Sequence, residues 1–376
     1  MASVAVLGYT WVGYPALLWL MKSLRPRRKT PGPTQNCPFV SIIIAAHNEQ
    51  ETIAGKLQNC LELVYPQDDL EIIVASDGST DRTSEIVCEF AAREPHIRWV
   101  ESDRRVGKSG VQNLAANIAR GEMFLFTDVN TTMPPSALTK MIDKFADPQV
   151  GLVTATSFFG HPHDPVEKSQ GFYWRYELFL RRAESDLGIL ATGSGQALLI
   201  RRELFRPLPI CYGDDCIMPL DVRLRGYRVV QDGDAIVFDT MPHSIEGELR
   251  ARIRMTARNW AGTLARPALL SPLRFPLTAL GLISHKLLRW LTPFFLASMI
   301  AASALYALDS GTSLLLWIQL AFYFSAIVGW RLARNKRRAY VFGYSFSFCL
   351  ANVGFLLGVI KALRNQKIVA YERGLS

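Results

Sequence analysis

The sequence predicts an α/β protein: a doubly wound, mostly parallel sheet in a polar domain enclosed by membrane-spanning helices. Three observations carry that expectation. Short apolar runs alternate with stretches of helical length from Phe39 to Arg228, the pattern of parallel strands joined by crossover helices. Several of these runs stop at an acidic or glycine-bearing turn, as a strand does where its carboxyl end opens on a ligand crevice. Finally, Ala2 to Met21, Leu291 to Leu308, Gly311 to Trp330 and Ala339 to Ile360 hold no charged residue, and each has about the 20 residues that a helix needs to cross the hydrocarbon core.

The composition agrees with a membrane protein. Of 376 residues, 49% are hydrophobic, and the mean hydropathy is +0.12. The net charge of +9 comes largely from the flanks of the apolar runs and from the stretch Arg250 to Arg266. Basic residues beside apolar spans face anionic headgroups, so membrane lipids, and not nucleic acid, are the expected partner. The first run ends in Lys22, Arg25, Arg27, Arg28 and Lys29, which makes it an uncleaved anchor with its basic flank in the cytoplasm. Arg331, Arg334, Lys336, Arg337 and Arg338 point the same way. Four crossings then place both termini outside, while Lys361, Arg364 and Lys367 suit a re-entrant last segment instead. The spans carry almost no charge of the kind a substrate path would need, which excludes a transporter. Six cysteines without a CxxC pair fit a reduced cytoplasmic domain.

In chain order, residues 1–21 form the anchor and 22–38 a basic linker around Pro31-Gly32-Pro33. Phe39 to Ala46 reads as a buried strand ending at His47-Asn48-Glu49, followed by a helix from Gln50 to Leu63. Leu70 to Ala75 is too brief for a helix core and stops at Asp77-Gly78-Ser79. Asp77 either closes a turn or accepts hydrogen bonds from a ribose or base, and Ser79, Thr80 or Asp81 caps the next helix. A short strand, Ile97 to Glu101, leads to Arg104, Arg105 and Lys108. Lys108 stands at the start of a helix, Ser109 to Ala119, either solvated or in contact with phosphate. Met123 to Thr127 then delivers Asp128-Val129-Asn130, an Asx turn or a pair of oxygen ligands for a hard cation.

Val150 to Thr156 is a further strand. The segment Asp164 to Asp186 carries Phe172, Tyr173, Trp174, Tyr176 and Phe179, a pattern of helix packing more than of a sugar platform. Gly193-Ser194-Gly195-Gln196 precedes apolar Ala197 to Ile200, and its glycines serve a tight turn or the close approach of a ligand. Asp214-Asp215 opens a helix from Cys216 to Arg225, where the two acids either cap it or supply a general base. Glu246 to Arg266 repeats arginines and apolar residues at helical spacing, as a basic amphipathic helix on the inner leaflet does.

The order of these motifs, from Asn48-Glu49 through Asp77, Lys108, Asp128-x-Asn130, Gly193-x-Gly195 and Asp214-Asp215 to the arginine-bearing helix, resembles the family 2 inverting glycosyltransferases with the GT-A fold. Their membrane-integrated branch, which includes cellulose, hyaluronan and poly-N-acetylglucosamine synthases, is the most similar. The resemblance implies a GT-A glycosyltransferase domain over 39–245, interface helices over 246–290, three spans over 291–362 and a basic tail over 363–376. It places the nucleotide-diphosphate sugar, UDP-linked, at His47, Glu49, Asp77, Lys108 and Asp128, with Mg²⁺ or Mn²⁺ at Asp128 and Asn130. Asp215 becomes the general base beside Asp214. Gly193, Ser194, Gln196, Arg258 and Trp260 fall to the acceptor or the diphosphate. The implied acceptor is lipid-linked or a polysaccharide, the location a bacterial-type plasma membrane with the domain cytoplasmic, and partner subunits of polysaccharide assembly are allowed.

The chain departs from the pattern twice. Asn130 replaces the second acid of the DxD motif. Met255 to Trp260 keeps an arginine and a tryptophan of the QxxRW motif without its glutamine or spacing, so transfer of one sugar stands beside processive synthesis. A membrane scaffold that binds nucleotide without turnover is the rival from another class.

Overall fold

The computed structural model describes residues 1–25, 37–159, 172–239, 244–335 and 340–364. Most of the basic linker, the start of the aromatic segment with the side chains of Phe172 and Tyr173, Lys336 to Arg338 and the tail with Lys367 lie outside the described residues.

Apolar runs become strands and the stretches between them become helices. The N-terminal helix α1 spans Ala2–Leu24. The central domain runs β1 (Val40–Ala46), α2 (Ile53–Leu61), β2 (Leu70–Ser76), α3 (Thr83–Arg93), β3 (Ile97–Glu101), α4 (Lys108–Ile118), β4 (Met123–Asp128), α5 (Ala137–Asp143), β5 (Val150–Phe159), α6 (Phe172–Leu187), β6 (Ala197–Arg201), α7 (Asp214–Leu224) and β7 (Arg228–Asp239). Helix α8 (Ile245–Leu264) and a broken interfacial segment, 276–290, lead to α9 (Thr292–Ser310), α10 (Leu314–Arg334) and α11 (Tyr340–Leu363).

The seven strands form one sheet in the order β3-β2-β1-β4-β6-β5-β7. The first four are parallel, β6 is antiparallel to both its neighbours, and β7 is parallel to β5. The sheet is therefore mixed: β6 alone runs against the other six strands, and β7 is a strand that no apolar run announces. Alternate residues serve opposite faces, as the pleat requires. Ile42, Ile44, Ile72 and Val74 pack with Ile53, Leu57 and Val87, whereas Ile43, Ile73 and Phe126 pack with Val111, Ala115, Ile217 and Val222. Helices thus cover both faces, which is the doubly wound arrangement.

Register decides where the polar side chains emerge. Ala46 pairs with Ser76 and Ala45 with Asp128, so His47, Asp77 and Asp128 leave the sheet at one edge.

Four helices, Ala2–Leu24, Thr292–Ser310, Leu314–Arg334 and Val341–Leu363, are long and apolar enough to cross a membrane. Helix α8 is a wedge between the sheet domain and α11. A Cβ at Gly354 would lie 2.8 Å from the Arg252 Cβ, and one at Gly358 would lie 2.6 Å from the Thr256 Cβ. This GxxxG spacing lets the two backbones meet. The amphipathic pattern read as a leaflet-facing surface therefore has a protein partner on that face.

Candidate functional site

At the end of β1, Asn48 adopts φ 53°, and its side-chain oxygen accepts from the Thr80 N–H at 2.8 Å. His47 Nδ1 donates to the Asp77 carbonyl at 2.8 Å. The ends of β1 and β2 are thereby tied together. Glu49 is turned toward the start of α2, where Thr52 Oγ1 donates to its carboxylate at 2.6 Å.

Asp77 is 5% exposed and reaches across to the loop before α4. Its Oδ1 accepts from the N–H of Val106 at 2.6 Å and of Gly107 at 3.0 Å, and Arg105 Nε lies 3.9 Å from Oδ2. Gly107 has φ 79°, a conformation that favours a residue without a Cβ. Asp77 therefore sets the loop that presents Lys108.

Lys108 is the hub. Its Nζ lies 2.7 Å from Asp128 Oδ1 and 2.8 Å from Asp214 Oδ2. Gln112, one turn further along α4, donates to Asp214 Oδ2 at 3.1 Å. Burial opposes the charge on Lys108, but the two carboxylates outweigh it and raise its pKa above the ordinary lysine value. Burial likewise opposes ionisation of Asp214, and Lys108 and Gln112 overcome it and hold the pKa down. Asp215 goes the other way: burial, then the charge of Asp214, raises its pKa, against the pull of Lys108, Arg258 and Arg181. Two adjacent carboxylates with pKa values pushed apart suit two roles, a fixed anion and a proton acceptor.

The glycine-bearing loop packs behind this pair. Gly193 donates its N–H to the Asp215 carbonyl at 2.7 Å, and a Cβ on Gly195 would lie 3.7 Å from Lys108 Nζ. Ser194 is buried, its Oγ 2.7 Å from that of Ser157, and Gln196 donates to Asp239 Oδ2 at 3.0 Å. These two side chains tie β6 to β5 and β7, with Gly195 between them nearest the hub.

Arg258 reaches the site from α8. It donates to the Tyr212 carbonyl, and its buried Nε has no acceptor among the described residues. Asn259 stands beside Asp215, since a Cβ on Gly213 would meet both their side-chain oxygens. Trp260 is not brought to the site. It packs against Trp290 at 6.1 Å between ring centroids, in a cluster with Leu287, Ala351, Phe355 and Val359. Its face of α8 is turned to α11 and away from Lys108 and Asp215, so the structure does not gather this expected acceptor residue with the others.

A divalent cation can be tested against the donor set. No group of three or more His, Cys, Asp or Glu that could hold a metal occurs among the described residues, and the Lys108 ammonium occupies the place of a cation at Asp128. One carboxylate and the Asn130 amide still fit a hard ion that takes its other ligands from a diphosphate, as Mg²⁺ does.

Sequence reasoning missed Gln112, Arg181 and Asn259. For Gln112 the signal was present, because it follows Lys108 by four residues on one helix face. Arg181 donates to the carbonyls of Gly193 and Thr192 and to Gln231 Oε1, an approach created only by the fold.

Comparison with known proteins gives this arrangement a context. Residues 41–208 match the family model described as Glycosyl transferase family 2. An N-acetylglucosaminyltransferase of Rhizobium meliloti (strain 1021) is 28% identical over 263 residues, 64% of this chain and 61% of that protein. A poly-beta-1,6-N-acetyl-D-glucosamine synthase of Staphylococcus epidermidis is 26% identical over 228 residues, 58% of this chain and 54% of its own. The chain thus spans little more than half the length of these two relatives. A mannosyltransferase from Pyrobaculum calidifontis, solved in complex with GDP-Man and Mn²⁺, superposes with a TM-score of 0.76 at 26% identity, over 97% of this chain and 98% of that one.

Proposed function

From a chain that carries a glycosyl transferase family 2 domain on a GT-A fold, we propose a membrane-bound inverting glycosyltransferase that moves a sugar from a nucleotide-diphosphate sugar to a lipid-linked or polysaccharide acceptor. The observation that carries this reading is the Lys108 bridge between Asp128 and Asp214 with Asp215 beside it. It gathers in one crevice a cation for a diphosphate, a carboxylate for a metal and a carboxylate for a proton.

In this mechanism the nucleoside lies over the ends of β1 and β2, against His47 and Asp77. Lys108 turns its ammonium from Asp128 to the diphosphate, and Arg258 offers its unpartnered Nε from the other side. Asp128 and Asn130 would hold a Mg²⁺ or Mn²⁺ ion, whose charge would further neutralise the leaving diphosphate. Asp214 stays ionised and keeps Lys108 in the crevice. Asp215 takes the proton of an acceptor hydroxyl. The hydroxyl oxygen bonds to the anomeric carbon opposite the diphosphate, which leaves with its bonding pair, so the configuration inverts without a covalent enzyme intermediate.

Residues 39–245 are the catalytic domain on this reading, on the cytoplasmic side of a bacterial-type plasma membrane and held there by α1 and α9 to α11. The names of the curated relatives favour an N-acetylhexosamine, GDP-Man in the structural neighbour keeps a hexose in the comparison, and a UDP-linked donor is what the motif resemblance implies. Two kinds of relative names, a transferase and a polysaccharide synthase, also keep processive synthesis as the second reading. A screen of nucleotide sugars by released nucleoside diphosphate, on the purified full chain with a membrane lipid extract as acceptor, tests the proposal. Release with one donor, dependent on the extract, is expected, and product length on gels separates one transfer from many. No release with any donor would leave the scaffold reading in its place.

A further inference from the structure

We propose that Arg181 is a positioning residue of this site: its guanidinium fixes the loop that carries Gly193 against the first turn of α7 and stands as a permanent positive charge behind Asp215. The inference rests on the reading of Asp215 as the general base and adds a residue, on another element, through which that base works.

The placement of Arg181 is unusual for a charged side chain. It is 6% exposed, and among the described residues no carboxylate lies within ion-pair distance of it. Its fork is spent on neutral acceptors instead: Nε on Gln231 Oε1 at 2.8 Å, Nη1 on the Gly193 carbonyl at 2.9 Å and Nη2 on the Thr192 carbonyl at 3.5 Å. Gln231 is held in turn, since its Nε2 donates to Thr156 Oγ1 at 3.1 Å. A buried charge without an ion-pair partner is costly, and a neutral side chain could satisfy the same carbonyls. The position of those carbonyls gives the charge a use. Gly193 accepts from Arg181 through its oxygen while its N–H donates to the Asp215 carbonyl at 2.7 Å. A single residue, Gly193, therefore links the guanidinium to the backbone of the base.

The charged and titratable groups around Asp215 divide by element. Asp214 and Cys216 flank it on α7, Lys108 faces it from α4, Arg258 from α8 and Arg181 from α6. Lys108 and Arg258 have other work in the crevice, at the diphosphate. Arg181 is buried and held by Gln231, Gly193 and Thr192, so on this reading its field on Asp215 persists through the reaction. A planar fork that meets three acceptors at once also explains an arginine in place of a lysine at this position.

Three variants of the full chain test the role, with release of nucleoside diphosphate for turnover and UDP titration for donor-site binding. Arg181→Gln is expected to lower kcat at least tenfold, to leave UDP affinity within about threefold and to move the acid limb of the kcat profile to higher pH. Arg181→Lys keeps the charge and loses the fork, so its acid limb stays at the wild-type position while kcat recovers in part. Gln231→Glu retains the bond to Arg181 but neutralises it, and is expected to shift the limb in the same direction as Arg181→Gln. It also serves as the test if Arg181→Gln does not fold. An unshifted acid limb in Arg181→Gln and Gln231→Glu would overturn the proposal, leaving Arg181 a packing residue. Asp215→Asn separates the two readings. If it abolishes turnover while the limb ignores Arg181, only this inference fails, and if it retains turnover, both fail.

Discussion

At the scale of single residues, the site is a balance of charge. On the proposed mechanism Asp215 is the base and works only when ionised, and its pKa is raised by burial and by Asp214. Turnover should therefore fall as the pH drops through a pKa raised above the ordinary aspartate value, and the acid limb of kcat measures it. Asp215→Asn is expected to cost at least about 10²-fold in turnover while UDP affinity changes only a few-fold, because a base acts in the transition state. Retention of a tenth of the wild-type rate would remove Asp215 from that role. The metal side has a sign of its own. A second carboxylate attracts a hard cation more than an amide does, so Asn130→Asp should lower the Mn²⁺ concentration for half-maximal activity and Asp128→Asn should raise it. Mn²⁺ titrations of the two variants that both overlay the wild type would place the metal elsewhere. Asp77, Lys108, Asp128 and Asp215 were legible in the sequence because each sits where a strand ends or a helix begins, and those boundaries are written in local pattern. Arg181 and Asn259 were not, since each acts on a loop that is distant along the chain and near it only in the fold.

At the scale of elements, the same division holds. Strands β1 to β4 and their helices followed from apolar runs with punctuating turns. Strand β7 was hidden because Gln231, Asp232, Gly233 and Asp234 interrupt its middle, and its pairing with β5 carries register shifts. The buried Asp232 carbonyl there accepts from Thr156 Oγ1 at 2.7 Å, a partner supplied by β5 and invisible in β7 itself. The direction of β6 was equally unreadable, because an apolar run of five residues looks alike parallel or antiparallel. The packing of α8 on α11 depends on two glycines, and a substitution tests it. At Gly358 a Cβ would lie 2.9 Å from the Ile253 carbonyl as well as against Thr256, so Gly358→Leu must push the helices apart. A loss of about 1–3 kcal/mol is expected, read as a lower Tm in detergent. Because Arg258 and Asn259 ride on α8, turnover should fall with it. An unchanged Tm would mean that α8 and α11 do not meet at Gly358.

At the scale of the whole molecule, the long apolar helices and the sheet domain are joined through α6. On one side Arg181 holds the loop beside Asp215. On the other, Glu177 accepts from His285, Lys286 and Arg289, and Glu184 accepts from Tyr14 at 2.8 Å and faces His285 Nδ1 at 2.7 Å. Burial opposes the ionisation of Glu177, and the cations of the interfacial segment overcome it and hold its pKa well down. The anchor helix α1 contributes the fully buried Tyr14 and Leu18 to this junction, and its Trp11 stacks on Tyr176 at 5.9 Å while Arg289 lies over the Trp11 ring. Deleting residues 1–25 should therefore have two separable effects. The protein should remain in the membrane fraction after an alkaline carbonate wash, because α9, α10 and α11 still supply three apolar spans. Its Tm in detergent should drop, because Glu184 loses a buried hydrogen bond and Leu180, Ala183 and Leu187 lose the apolar surface of α1 that covers them, changes that together cost several kcal/mol. Recovery of the truncated chain without detergent would refute the assignment of the last three spans. A membrane-bound truncation with wild-type Tm would instead show that α1 is only a tether, with no part in setting α6 against the site.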